Sequence, residues 1–143
     1  MIRKLVLAAA FAVVSTGFVA SASAQSAGDK ETGLAAVYSD KLNGHVTASG
    51  VKYDRNKLTA AHKTLPFGTR VKVTNEKRHR SVTLRITDRG PVQAGRILDI
   101  SPAAAKKLGI GAHSMREVTM EVVEVGKGRT HHAHRKARKH RAH

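Results

Sequence analysis

The sequence predicts an all-β-dominated domain, with several short strands closed into a small barrel and one or two short helices. Three observations point there. Apolar and polar residues alternate with a period of two in several short segments. Helix signals gather in a single place. Clusters of glycine, proline and small polar residues break the chain between segments, and no long amphipathic repeat runs across them.

Residues 34–39 form the first segment, short and apolar. Residues 69–74 (TRVKVT) set Val71 and Val73 on one face. Residues 81–87 (SVTLRIT) turn Val82, Leu84 and Ile86 inward in the same way. Residues 115–125 (MREVTMEVVEV) alternate less strictly but are long and rich in β-branched side chains. Residues 75–80 read as a polar hairpin-like loop, and Asp88-Arg89-Gly90-Pro91 as a turn. The helix signal precedes the last segment. Ser101 is a good N-cap, Pro102 suits the first helical position, residues 103–108 propagate the helix, and Gly109 stops it. Residues 33–125 then supply the core of one domain, small but sufficient.

The two ends read differently. Residues 1–24 begin with Arg3 and Lys4, continue through an apolar run, and finish in Ala22-Ser23-Ala24. This is the pattern of a secretory signal peptide cut before Gln25. The alternative is a membrane anchor, but Ser15, Thr16 and Gly17 interrupt an apolar stretch shorter than the ~20 residues a helical span needs. Residues 25–32 read as a linker. Residues 126–143 hold no acid and nothing apolar larger than Ala, and are dense in Lys, Arg and His. Such a segment is expected to be a disordered, solvated basic tail. Electrostatic attachment to an anionic wall polymer, simple solubilisation, and metal binding through imidazole all stay open for it. The spacing of His131, His132 and His134 matches no structural zinc pattern, and no metal or cofactor is expected.

Composition narrows the function classes. The formal net charge is +16, from 26 Lys and Arg against 10 Asp and Glu. For an exported chain, an anionic cell envelope is the natural partner of that charge. Beyond residue 24 the aromatic residues are Tyr38, Tyr53 and Phe67, too few for a stacking platform, so no nucleic-acid partner is expected. Cysteine is absent, which excludes disulfides, thiolate chemistry and a lipid anchor on a cysteine. The expectation is a soluble protein of the periplasm or cell envelope, without a membrane anchor once the signal is removed.

With few acids, each one in an apolar or turn-rich context stands out. Asp88 follows an alternating strand directly, at a strand end where loops converge. It reads equally well as a site residue and as a turn-capping carboxylate paired with Arg89. Asp99, between apolar neighbours, reads as structural, bonded to backbone amides inside the barrel. Asp54 reads as a turn residue. His62 ends a small apolar stretch and reads either as a hydrogen-bonded packing residue or as a functional one. The serine-hydrolase elbow, the phosphate-binding glycine loop and the HExxH zinc motif are all missing.

Several strings then become recognisable in order: Thr47-Ala48-Ser49-Gly50, Tyr53-Asp54, Leu58-Thr59-Ala60-Ala61-His62, Leu65-Pro66-Phe67-Gly68-Thr69, and Val71-Lys72-Val73-Thr74-Asn75. Asp88-Arg89-Gly90-Pro91, Arg96-Ile97-Leu98-Asp99-Ile100-Ser101 and the residues around Leu108-Gly109 continue the series. Together they resemble the rare lipoprotein A family of septal-ring lytic transglycosylases, over nearly all of residues 33–125. The resemblance implies a six-stranded double-psi β-barrel and endolytic cleavage of MurNAc–GlcNAc bonds in peptidoglycan glycan strands, with formation of a 1,6-anhydro sugar. It places the family's aspartate on Asp88 and its histidine on His62 as catalytic residues. Thr47, Ser49, Tyr53 and Arg89 are the expected sugar contacts. The family's glutamate, directly after the glycine of the Thr-Ala-Ser-Gly string, is replaced by Val51. That departure keeps a second reading in view, a non-catalytic, expansin-like module that binds or loosens the wall. In a third, the basic tail is the active part and the barrel its carrier.

Overall fold

The computed structural model describes residues 25–128. The expected signal peptide, and the basic tail from residue 129 onward, lie outside these residues. Six strands close a barrel: β1 (Lys30–Val37), β2 (Thr59–Ala61), β3 (Arg70–Asn75), β4 (Arg80–Asp88), β5 (Arg96–Ile100) and β6 (Met115–Glu124). Around the barrel the order is β1-β5-β2-β4-β3-β6. The pairs β1–β5 and β2–β4 are parallel and the other four antiparallel. A closed sheet has no edge strands to protect.

The period-two segments are strands, with the faces that alternation predicts. Val71 and Val73 are buried while Arg70 and Lys72 face water. Val82, Leu84 and Ile86 point inward from β4. Leu98, Ile100, Val118, Met120 and Val122 join them in one cluster. Two strands were absent from the periodicity reading. In β2 the residues are Thr-Ala-Ala, too short and too small to show a pattern. β5 reads RILDI and buries the consecutive residues Ile97 and Leu98, so its buried positions do not alternate. Six strands had been expected only through the family resemblance. β1 begins at Lys30, inside the stretch that reads as a linker, because residues 30–36 pair with β6 and backbone hydrogen bonds supply what the polar sequence does not.

One α-helix, α1 (Pro102–Leu108), plugs the barrel against β4. The Ser101 hydroxyl accepts from Ala104 N at 3.2 Å and donates to Lys57 O at 2.6 Å. The helix ends at Gly109, whose φ of 69° is the left-handed conformation glycine adopts without strain. Buried Asn75 donates from Nδ2 to Leu108 O at 2.9 Å, satisfying a terminal carbonyl.

Candidate functional site

Parallel pairing of β2 with β4 brings two distant segments together at one end of the barrel. β4 ends at Asp88, and the loop carrying residues 47–51 folds over that end. The loop is wound on itself. Gly50 N donates to Thr47 O at 2.8 Å, and Thr47 N to Val51 O at 2.9 Å. The φ of Gly50 is 83°, so the turn suits glycine. The Thr47 hydroxyl donates to Val51 O at 2.7 Å. A hydroxyl has one hydrogen, so at the 3.0 Å contact between Thr47 Oγ1 and Ser49 Oγ the donor is Ser49. Both hydroxyl hydrogens are therefore used inside the loop, and both side chains are buried.

The product of this winding is a held carboxylate. Ser49 N donates to Thr87 O at 3.2 Å, which docks the loop on β4. Ala48 N then donates to Asp88 Oδ1 at 3.0 Å, and Arg89 N to the same oxygen at 2.9 Å. Tyr38, just past the end of β1, donates its hydroxyl to Asp88 Oδ2. Both oxygens of Asp88 thus face donors, two backbone N–H groups on Oδ1 and the Tyr38 hydroxyl on Oδ2. Burial first, then the hydrogen bond and charge of Asp88, raise the Tyr38 hydroxyl well above its ordinary pKa, so it keeps its proton.

Tyr53 is buried beside this pair, its ring centroid 4.6 Å from that of Tyr38. Burial, and after it the charge of Asp40, push its hydroxyl up to about 12. Its Oη has no hydrogen-bond partner among the described residues. Tyr38, Tyr53, Thr47, Thr87, Asp88 and Asp99 line one narrow cavity. Asp99 is ion-paired with Arg96 rather than bonded to backbone amides as the sequence reading expected. Asp54 accepts from Asn56 N at 2.9 Å and is a turn residue, as expected.

His62 lies beside Asp88 through the backbone and not through its ring. Its N–H donates to Asp88 O at 3.2 Å. The ring is only 3% exposed. Nδ1 accepts from both Thr64 N and Leu65 N at 3.1 Å, so the neutral ring carries its proton on Nε2, which faces Glu31 Oε2 at 3.1 Å. Burial lowers the pKa of His62, with Glu31 opposing part of the effect. Arg89 grips the same turn, donating to Leu65 O at 2.8 Å and His62 O at 3.3 Å, and its guanidinium sits 4.0 Å above the Phe67 ring. Sequence reading missed Tyr38 and Glu31. Tyr38 ends an apolar strand where an aromatic residue reads as core, and Glu31 fell in the presumed linker.

Val51 lies on the other side of the same loop. There it lines an open cleft of about 450 Å³ together with Ser49, Phe67, Arg85, Glu124 and Lys127. No helix among the described residues is long and apolar enough to cross a membrane.

A family model described as "Lytic transglycolase" matches residues 30–125, the whole barrel. The chain belongs to this family. Curated relatives agree. A probable endolytic peptidoglycan transglycosylase RlpA of Synechocystis is 47% identical over 92 residues, covering 64% of this chain and 29% of that protein. An endolytic peptidoglycan transglycosylase RlpA of Vibrio cholerae is 46% identical over 100 residues, covering 70% and 38%. One from Pasteurella multocida is 40% identical over 115 residues, covering 80% and 39%. The chain thus spans about a third of the length of these relatives. Among solved structures, the Streptomyces papain inhibitor superposes with a TM-score of 0.53 at 22% identity, covering 68% of this chain and 97% of that one. An expansin of Clavibacter michiganensis gives 0.54 at 20% identity, covering 70% and 53%. These two likenesses concern the fold, a double-psi β-barrel, as the resemblance implied.

Proposed function

We propose that the chain is an endolytic lytic transglycosylase of peptidoglycan, with Asp88 as its acid/base. The observation that carries this reading is the Asp88 carboxylate, held by the Tyr38 hydroxyl and two backbone N–H groups on the lining of a narrow cavity. Cleavage breaks the bond between C1 of MurNAc and the bridging oxygen, and that oxygen gains a proton from the Asp88 carboxyl. The MurNAc C6 hydroxyl then bonds to C1 and gives up its proton to the Asp88 carboxylate. Atoms balance without water, so no second carboxylate is needed to activate one. The donors around Asp88 stabilise the carboxylate that stands between the two transfers.

The other named residues take supporting parts in this proposal. Neutral, buried His62 and the Arg89 fork hold the turn that carries Asp88. Thr47 and Ser49 set the loop whose amide reaches Asp88. The Tyr53 hydroxyl, buried and without a hydrogen-bond partner among the described residues, has its donor uncommitted beside Asp88. The site of action is the peptidoglycan of the cell envelope, in the periplasm and at the septal ring, and the basic tail adds salt-sensitive retention on anionic wall polymer.

Purified, stem-free glycan strands digested with the chain and read by mass spectrometry test the proposal. Anhydro-ended products that vanish in Asp88→Asn support it, and undiminished products in that variant remove Asp88 from the role. One observation favours the second reading, a wall-binding or wall-loosening module without catalysis. The family's glutamate position is Val51, which transfers no proton. Products from Val51→Glu alone, with none from the unsubstituted chain, mean an intact scaffold with a disabled site and make that module the leading reading.

A further inference from the structure

The cleft behind the Asp88 loop carries charge that the rest of the molecule does not use. Arg85 and Lys127 stand exposed on its walls, and neither has an ion-pair partner among the described residues. Neither position is casual. Arg85 lies in β4, three residues before Asp88, with its backbone N–H bonded to Leu58 O at 3.1 Å. Lys127 lies past the last strand, in a stretch that reads from sequence as the start of a loose tail, yet the chain is pinned on both sides of it. Gly126 N donates to Thr69 Oγ1 at 2.9 Å, and Gly128 N to Phe67 O at 3.1 Å. Gly126 lies so close to the 67–69 backbone that a Cβ there would sit 2.3 Å from Phe67 O and Thr69 N. Position 126 thus admits only glycine without displacement, and the backbone that carries Lys127 is held at the cleft wall.

We infer that this cleft is a carboxylate-recognising subsite, in which Arg85 and Lys127 bind an acidic substituent of the glycan strand while Phe67 and Ser49 border the sugar. The inference rests on the glycan-strand reading above and adds to it the feature of the strand that is read. Two unpaired cations beside one aromatic face suit an acidic sugar. Glu124, on the same cleft, disfavours a bare anion at its own wall and accepts hydrogen bonds from hydroxyl or acetamido N–H groups, which sets an orientation. A volume of about 450 Å³ takes a sugar unit with its substituent. The carboxylate has two sources of the same chemistry, the lactyl group of stem-free muramic acid and the carboxylates of a stem peptide.

Equilibrium binding of labelled oligosaccharides tests the inference, using the full chain with Asp88→Asn to prevent cutting. The probes are stem-free strands, stem-bearing strands, stem-free strands with amidated carboxylates, and a chitin oligosaccharide of equal length. Arg85→Gln and Lys127→Gln are each expected to weaken binding of carboxylate-bearing strands by about three- to tenfold. The amidated and chitin probes should be unmoved by either substitution. An effect on stem-free strands assigns the lactyl carboxylate, and an effect on stem-bearing strands alone assigns the peptide; either supports the subsite. Equal losses on all four probes overturn carboxylate recognition, and no loss on any overturns the subsite. Failure of the unsubstituted chain to bind any probe instead overturns the glycan reading itself, which keeps the two failures apart.

Discussion

The two faces of the loop carrying residues 47–51 are built on opposite principles. On the Asp88 face almost every polar hydrogen is committed before any ligand arrives. Thr47, Ser49, Ala48, Tyr38 and Arg89 all spend donors on the loop or on one carboxylate. On the cleft face, Arg85 and Lys127 form no ion pair among the described residues, with Glu124 on the same cleft. The first arrangement suits chemistry, where reorganisation during the reaction costs rate. The second suits recognition, where unpaired charge remains available to a partner. The difference teaches where to look for each activity, and it can be broken at either face.

The largest effect is expected on the committed face. Tyr38→Phe removes the one side-chain donor to Asp88 among the described residues while leaving the ring against Tyr53. A hydrogen bond to a charged group contributes about 1.5–3 kcal/mol, so turnover should fall by about ten- to a hundredfold with strand binding little changed. Steady-state kinetics on stem-free strands separates kcat from KM. A loss confined to KM would show that Tyr38 serves binding rather than the reacting carboxylate, and the contrast between the faces would dissolve.

A smaller effect is expected where the cleft wall is fixed. Gly126→Ala forces a methyl group into backbone that has no room for it, at a cost of about 1–3 kcal/mol. The chain there is the end of the last strand, so local release of residues 125–128 relieves the clash. Thermal stability should drop modestly, and binding of carboxylate-bearing strands should weaken to the level of Lys127→Gln. Unchanged binding would mean that Lys127 reaches its partner without a fixed root.

How far the sequence alone reaches follows from what each residue signals locally. β3 and β4 are legible because their side chains alternate, and α1 because its cap, its proline and its terminal glycine each have a local cause. β2 and β5 are not, since three small residues show no period and β5 buries the consecutive residues Ile97 and Leu98, which breaks the alternation. Asp88 stood out as an acid at a strand end, and its position with three donors is consistent with that. Its partners did not stand out, because Ala48 acts through its backbone and Tyr38 is 50 residues away in sequence. Lys127 read as one of many tail cations until the glycines on either side were seen pinned to residues 67–69. Contacts that depend on the parallel β2–β4 pairing or on chain closure leave no local pattern.

The smallest effect concerns His62, and it distinguishes a structural histidine from a titrating one. Two backbone N–H groups point at Nδ1, so protonation there loses both hydrogen bonds, and burial already holds the pKa below its ordinary 6.5. The unfolded chain, with the higher pKa, takes up the proton first as pH falls. The neutral ring therefore contributes stability that is complete above about 6.5 and declines as pH drops through the window below it. Melting temperatures measured from pH 7.5 down to 5 should show this decline, and His62→Gln, although less stable throughout, should flatten that part of the curve. Identical slopes in the two proteins would mean that the acid sensitivity lies in other groups. An activity profile that follows the same window, with stability unaffected, would return His62 to the chemistry as a proton carrier. Glu31 is the partner of Nε2, so Glu31→Gln sharpens the reading: losing the group that opposes burial should leave the upper edge of the decline in place and carry the decline deeper and further down in pH.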